Sequence, residues 1–316
     1  MSSDLQASSS PADSVRGSWI ESAPKAWRPY LQLMRLDRPI GAWLLFWPCV
    51  FGLALGALAQ DRGFLGSAGD WRLLALFALG TIVMRGAGCT YNDIVDRDID
   101  AQVARTRGRP IPSGAVSLRT AWLFLAAQCT IGLIILLCLN WFSVALGAAS
   151  LILIALYPFM KRITWWPQAW LGLTFNWGAL LGFAAITGHL SAQAFVLYAA
   201  CFFWTLGYDT IYALQDVEDD ALIGVKSTAR LFGDGARIWI AAFYATTFLL
   251  LAAAIFWVTQ DWLAAALFLP AGAHLAWQVS WLDLGKPQAS LKLFRSNREA
   301  GALIAAALIA ASWLAP

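Results

Sequence analysis

Charge is what this chain has least of. Only 13% of its 316 residues are Asp, Glu, Lys or Arg, 59% are hydrophobic, and the mean hydropathy is +0.62. That balance excludes an ordinary soluble domain and implies a polytopic membrane protein. The net charge of +3 is small and unevenly placed, so it speaks of topology rather than nucleic acid. Histidine is nearly absent: His189 and His274 are far apart and form no metal-spaced cluster. The five cysteines lie in apolar runs with no CxxC, which implies buried small hydrophobes rather than a redox or zinc centre. The first 28 residues lack an apolar signal core, and Asp4, Asp13 and Glu21 argue against a transit peptide. The expectation is a disordered cytoplasmic tail over 1–28 and one transmembrane domain over 29–316.

What is present is nine apolar runs, near 40–59, 72–95, 120–139, 141–160, 168–187, 193–215, 236–258, 262–282 and 300–315. Each suits a membrane-spanning helix of roughly twenty residues. Asn140 and Trp141 mark a turn between the third and fourth, and Pro158 is expected to bend or end the fourth. Trp71, Trp141, Trp165, Trp166, Trp262 and Trp281 stand at span ends, as an interfacial belt requires. Nineteen of the 22 basic residues precede the first span or follow the second, fourth, sixth or eighth. The alternate loops hold only Arg62 and Arg72, and Arg85 lies inside a span. The positive-inside rule then puts the N-terminus in the cytoplasm and the C-terminus in the periplasm of a bacterial inner membrane.

Two stretches break the apolar pattern. Tyr91 to Gly114 closes the second run with Asn92, Asp93, Asp96, Asp98 and Asp100, and Arg105, Arg107 and Arg109 follow. Asn92, Asp96 and Asp100 fall four apart on one helical face, with Asp93 beside them. Tyr208 to Leu231 closes the sixth run with Asp209, Asp216, Glu218, Asp219 and Asp220, and Lys226 and Arg230 follow. These stretches hold nine of the nineteen carboxylates. Carboxylates crowded on one face need counter-charge, and a hard divalent cation that brings substrate phosphates supplies it. The expectation is two acidic helix ends facing one another across a metal and diphosphate site.

Such a site suits a substrate with a charged diphosphate head and a long apolar tail. Arg105, Arg109, Lys161 and Lys226 can neutralise the head. Aromatic walls suit the allylic cation left when the C–O bond breaks, and Tyr91, Tyr157, Tyr208 and Tyr212 lie nearest the acidic stretches. An intramembrane arginine is expensive and functional or paired. Arg85, two turns before Asn92 on its face, or Arg35 is a candidate cation for an acceptor carboxylate.

NDIVDRDIDAQVARTRGRPIPSG and YDTIYALQDVEDDALIGVKSTA, with MRLDRPIGAWLLFWP and YPFMKRITWWPQAWLG, resemble signatures of the UbiA superfamily of intramembrane prenyltransferases. They are most similar to the subgroup that prenylates 4-hydroxybenzoate in ubiquinone synthesis. The resemblance implies an all-α fold of nine transmembrane helices around a central cavity open to lipid, with Mg²⁺ and a polyprenyl diphosphate. It implies metal ligation by Asn92, Asp96, Asp216 and Asp220, and diphosphate binding by Arg105, Arg109, Lys161, Lys226 and Tyr157. Catalytic roles fall to Asp93, Asp100, Asp209, Arg85 and Arg35. The expected partners are polyprenyl diphosphate, 4-hydroxybenzoate and the lipid bilayer, with no nucleic acid and no obligate protein partner. Another acceptor, such as a naphthoate, homogentisate, haem or chlorophyllide precursor, is the nearest alternative. A cation-coupled transporter is a remote one, because transporter sites lie near the bilayer midplane rather than at helix ends.

Overall fold

A computed structural model describes residues 17–103, 106–215, 217, 221 and 224–314. The described elements are all helical. In chain order they are α1 Arg28–Leu33, α2 Ile40–Leu58, α3 Ala68–Asp100, α4 Leu118–Leu137, α5 Trp141–Ile163, α6 Pro167–Phe175 and α7 Trp177–Thr187. Then follow α8 Ala192–Ala213, α9 Thr228–Phe232, α10 Ala236–Thr259, α11 Trp262–Ala266, α12 Leu269–Trp281, α13 Pro287–Arg295 and α14 Asn297–Leu314.

Among the described residues, eight helical runs are long and apolar enough to cross a membrane, where the sequence suggested nine. The ninth run forms α14, but Arg298 and Glu299 stand in its first turn. Pro158 does not end the fourth run: α5 continues past it to Ile163. The turn at Asn140 forms as expected, and its side chain caps α5 by accepting from Ser143 N at 2.9 Å. Asn176 divides the fifth run into α6 and α7. The expected belt is exposed at Trp71, Trp141, Trp262 and Trp281.

Where a disordered segment was expected over 1–28, residues 1–16 lie outside the described residues. Within the described part of that segment, Trp19–Ser22 forms a 3₁₀ turn and Ile20 is buried. The Trp19 indole donates to Leu36 O at 3.2 Å, which ties this turn down. The chain forms two compact units, 1–42 with 79–135, and 43–78 with 136–316.

The first unit is built on a small apolar core of Leu33, Ile94, Ile111, Val116 and Ala121, with Tyr30 set edge-on to Phe124 at 5.1 Å. Its α3 and α4 approach closely at Gly86, where a Cβ would come within 2.7 Å of Gln128 Nε2.

In the second unit, α2 and α7 meet backbone to backbone. Gly52 and Gly56 repeat at four residues on α2, and Gly178 and Gly182 do so on α7. A Cβ at Gly52 would strike Ala179 O, and one at Gly182 would lie 2.9 Å from Leu53 N. This is the small-residue packing that lets membrane helices gain dispersion contact without a hydrophobic drive. Gly182→Val is therefore expected to destabilise the protein by roughly 1–3 kcal/mol through overpacking, read as a lowered midpoint of thermal unfolding in detergent. An unchanged midpoint would show that these helices separate without loss.

Beyond that seam, a buried polar network spans four helices. Trp204 of α8 donates to Asn297 of α14 at 2.8 Å, and Tyr244 of α10 donates to Gln278 of α12 at 2.7 Å. Asn297 closes it with a 3.2 Å bond to Gln278. Polar side chains inside a membrane protein need such partners, because lipid offers none.

Candidate active site

The first acidic stretch forms the last turns of α3 in the first unit. Asp93 and Asp96 are 1% exposed and Asp100 is 7% exposed, while Asn92 is half-buried. The chain that follows folds back over this end. The Thr106 hydroxyl donates to Asp100 O at 2.9 Å, which satisfies one of the terminal carbonyls of the helix. Ile111 and Val116 then pack with Ile94. This return places Arg109 against the helix it followed. Its guanidinium donates to Asp100 Oδ2 at 2.8 Å and to Asp93 Oδ1 at 3.4 Å.

Asp93 has a second cation. Arg35 Nη2 donates to both its carboxylate oxygens, at 2.7 and 3.0 Å. Arg35 follows α1 with φ of 56°, the left-handed geometry that glycine usually takes after a helix. That conformation costs about 1–3 kcal/mol. It is offset by the bonds to Asp93 and to Gln32 O, the latter at 2.9 Å. The i, i+4, i+8 stripe is therefore half the arrangement: Asp93 and Asp100, seven apart, share Arg109. Arg85 is half-buried and its guanidinium lies on Gly41, where a Cβ would be 2.5 Å from Nε. Arg105 lies outside the described residues. Arg97 and Asp98 pair with each other on the surface at 3.2 Å, away from this network.

The second unit holds the remaining expected residues. Asp209 is half-buried in the last turns of α8, and Asp216 and Asp220 lie outside the described residues. Tyr157 and Lys161 stand one turn apart near the end of α5. The structure brings Lys226 to Lys161: its backbone N bonds Lys161 O at 3.2 Å, and its Nζ donates to Ile163 O at 3.2 Å. Residues with no sequence signal hold this loop. Gln168 accepts from Thr228 N at 3.0 Å, and the Thr210 and Thr228 hydroxyls meet at 2.7 Å. Asp37, buried and paired with Arg38 at 3.2 Å, was likewise given no role by its sequence context.

No three His, Cys, Asp or Glu side chains are grouped to cage a metal among the described residues. A cage is not what Mg²⁺ requires. It is held by one or two carboxylates, with waters and substrate phosphates completing its shell. Asn92 and Asp96 supply two hard oxygen donors one turn apart, so the donor chemistry fits.

Residues 41–314 match the model of the UbiA prenyltransferase family. The chain belongs to that family. This UbiA protein is 49% identical over 290 residues to the mitochondrial 4-hydroxybenzoate polyprenyltransferase of Bos taurus, covering 90% of this chain and 76% of the relative. It is 49% identical to the same-named mitochondrial protein of Mus musculus, covering 90% and 75%. A solved UbiA homologue from Aeropyrum pernix K1 superposes with a TM-score of 0.69 at 28% identity, over 85% of this chain and 97% of that one. A homologue from Archaeoglobus fulgidus, bound to GPP and Mg²⁺, superposes at 0.66 and 22% identity, over 90% and 100%.

These relatives correct one expectation. The basic loops suggest a bacterial inner membrane with a periplasmic C-terminus, whereas these two relatives, and one from Arabidopsis thaliana, are mitochondrial proteins. The charge asymmetry distinguishes the two sides of a bilayer and carries no information about which bilayer it is.

Proposed function

We propose that this UbiA protein is a Mg²⁺-dependent prenyltransferase. It moves a polyprenyl group from polyprenyl diphosphate to the carbon ortho to the hydroxyl of 4-hydroxybenzoate, a step of ubiquinone synthesis. The observation that carries the reading is the buried carboxylate end of α3, in a chain 49% identical to relatives of that name.

Asn92 and Asp96, with Asp216 and Asp220, hold Mg²⁺, which when bound stabilises the negative charge that grows on the departing diphosphate. Arg105, Arg109, Lys161 and Lys226 bind the diphosphate oxygens, and the Tyr157 hydroxyl adds a donor. The C1–O bond of the prenyl diphosphate breaks, and C1 bonds to the ring carbon beside the phenol. That carbon then loses its proton. The phenol oxygen activates this position, and the carboxylate occupies the para carbon. Arg85 or Arg35 holds the acceptor carboxylate, and one acidic residue among the catalytic carboxylates Asp93, Asp100 and Asp209 orients or deprotonates the acceptor hydroxyl.

Turnover of 4-hydroxybenzoate with geranyl diphosphate by membranes containing the protein tests this. The 3-geranyl product should form with Mg²⁺ and disappear with EDTA. Arg85→Ala should raise the KM for 4-hydroxybenzoate about tenfold, the worth of a charged hydrogen bond, and leave the KM for geranyl diphosphate unchanged. Product from a different aromatic acid alone would keep the reaction and overturn the acceptor.

A further inference from the structure

Arg62 and Arg72 are the only basic residues in the loops opposite those that carry the chain's positive charge. The fold gathers both around one cavity of the second unit, about 350 Å³ in volume, at the start of α3. Its polar lining includes Arg62, Arg72, Ser67, Asp70 and Asn140, and Leu73, Leu139 and Ile186 supply apolar wall.

The charges within it do not cancel. Asp70 is 1% exposed and takes a bidentate pair from Arg62, at 2.8 and 2.9 Å. Ser67 N adds a third bond to that carboxylate at 3.3 Å. Arg62 and Asp70 together are neutral, and the charge of Arg72 remains. One Arg72 nitrogen donates to Cys138 O at 2.9 Å, which fixes the side chain at the rim and leaves further N–H groups for a ligand. The cavity also includes the first turn of α3, where Ser67 Oγ already caps Asp70 N at 3.2 Å and the helix dipole favours an anion. A Cβ at Gly69 in that turn would meet nothing nearer than Ser67 Oγ at 3.5 Å, so the wall there is open. Trp71 and Trp141, 56% and 80% exposed, adjoin Arg72 and Asn140 in sequence and mark this level as the membrane interface.

We propose that this cavity binds the phosphate of a net-anionic phospholipid headgroup, with Arg72 as its principal cation and Leu73, Leu139 and Ile186 against the first acyl carbons. The net positive charge favours an anionic lipid over a zwitterionic one. The apolar wall favours a lipid over free phosphate.

The test uses the full chain, purified and delipidated in detergent, with the thermal unfolding midpoint followed against added dioctanoyl phosphatidylglycerol, dioctanoyl phosphatidylcholine or inorganic phosphate. Phosphatidylglycerol should raise the midpoint saturably, and the other two should not. In Arg72→Gln the half-saturating concentration should rise about tenfold, the loss expected for a charge-assisted phosphate contact. Gly69→Glu should do the same by placing a carboxylate in the cavity, without weakening the helix, since an acidic residue suits its first turn. Arg119→Gln, at an exposed position outside the cavity, should behave as the wild type. Equal responses to phosphatidylglycerol in all four proteins, or equal responses to the two lipids, would overturn the proposal. A response to inorganic phosphate as large as that to phosphatidylglycerol would overturn the lipid as its source.

Discussion

Asp96→Asn is expected to lower kcat by roughly 10³-fold, about 4 kcal/mol of transition-state stabilisation, while the protein still folds. The substitution keeps the shape of the side chain and an acceptor oxygen. It removes a full negative charge from a position that is 1% exposed. An amide costs less to bury than a carboxylate and, being isosteric, keeps the contacts that do not need the charge, so the protein should still fold. What is lost is the charge that binds Mg²⁺, and the Mg²⁺ concentration for half-maximal activity should rise with the fall in kcat. Asp98→Asn is the control. Asp98 lies two residues away, but its side chain is 82% exposed and its partner is Arg97, itself 43% exposed. Its activity should stay within about twofold, as for a surface change. If Asp96→Asn retains more than a tenth of the activity, the metal role of the α3 stripe is wrong.

The contrast between Asp96 and Asp98 was legible in the sequence. Residues four apart share a helical face, so Asn92, Asp96 and Asp100 could be separated from Asp98 by counting alone. The spans were legible too, because a run of twenty apolar residues has few alternatives. The helix breaks were not. Asn176 interrupts the fifth run because its amide donates to Gly172 O and to the Thr205 hydroxyl, both at 2.7 Å, and Thr205 lies on another helix. Periodicity within one segment cannot report a partner 29 residues away. The glycines at 52, 56, 178 and 182 were likewise visible only as composition, since their value lies in which backbone each one meets.

The ion pairs show the same limit more sharply. Arg35 and Asp93 are 58 residues apart, and nothing local couples them. The sequence offers Arg35 as a candidate cation for the acceptor carboxylate and, by family resemblance, Arg109 for the diphosphate, and each is held in this structure by a carboxylate of α3. These placements are compatible if the pairs serve to orient the side chains before substrate arrives. A guanidinium has five N–H donors, so a bond to Asp93 or Asp100 leaves others for a ligand.

Removing Arg109 should therefore damage stability as well as turnover. Its guanidinium is 15% exposed and answers two carboxylates, Asp100 and Asp93, whose side chains are 9% and 1% exposed. In Arg109→Ala, Asp100 loses this partner and Asp93 keeps Arg35. An uncompensated buried charge costs roughly 3–5 kcal/mol, and the midpoint of thermal unfolding in detergent should fall accordingly. Asp100→Asn in the Arg109→Ala background should restore part of that loss, because the orphaned carboxylate is then gone. The double-mutant cycle separates this coupling from lost packing, since neighbours in one network give interaction energies of about 0.5–3 kcal/mol. Additive effects would mean that Arg109 and Asp100 stabilise the protein independently. Turnover should not return in the double variant, because the cation proposed to meet the diphosphate is still missing.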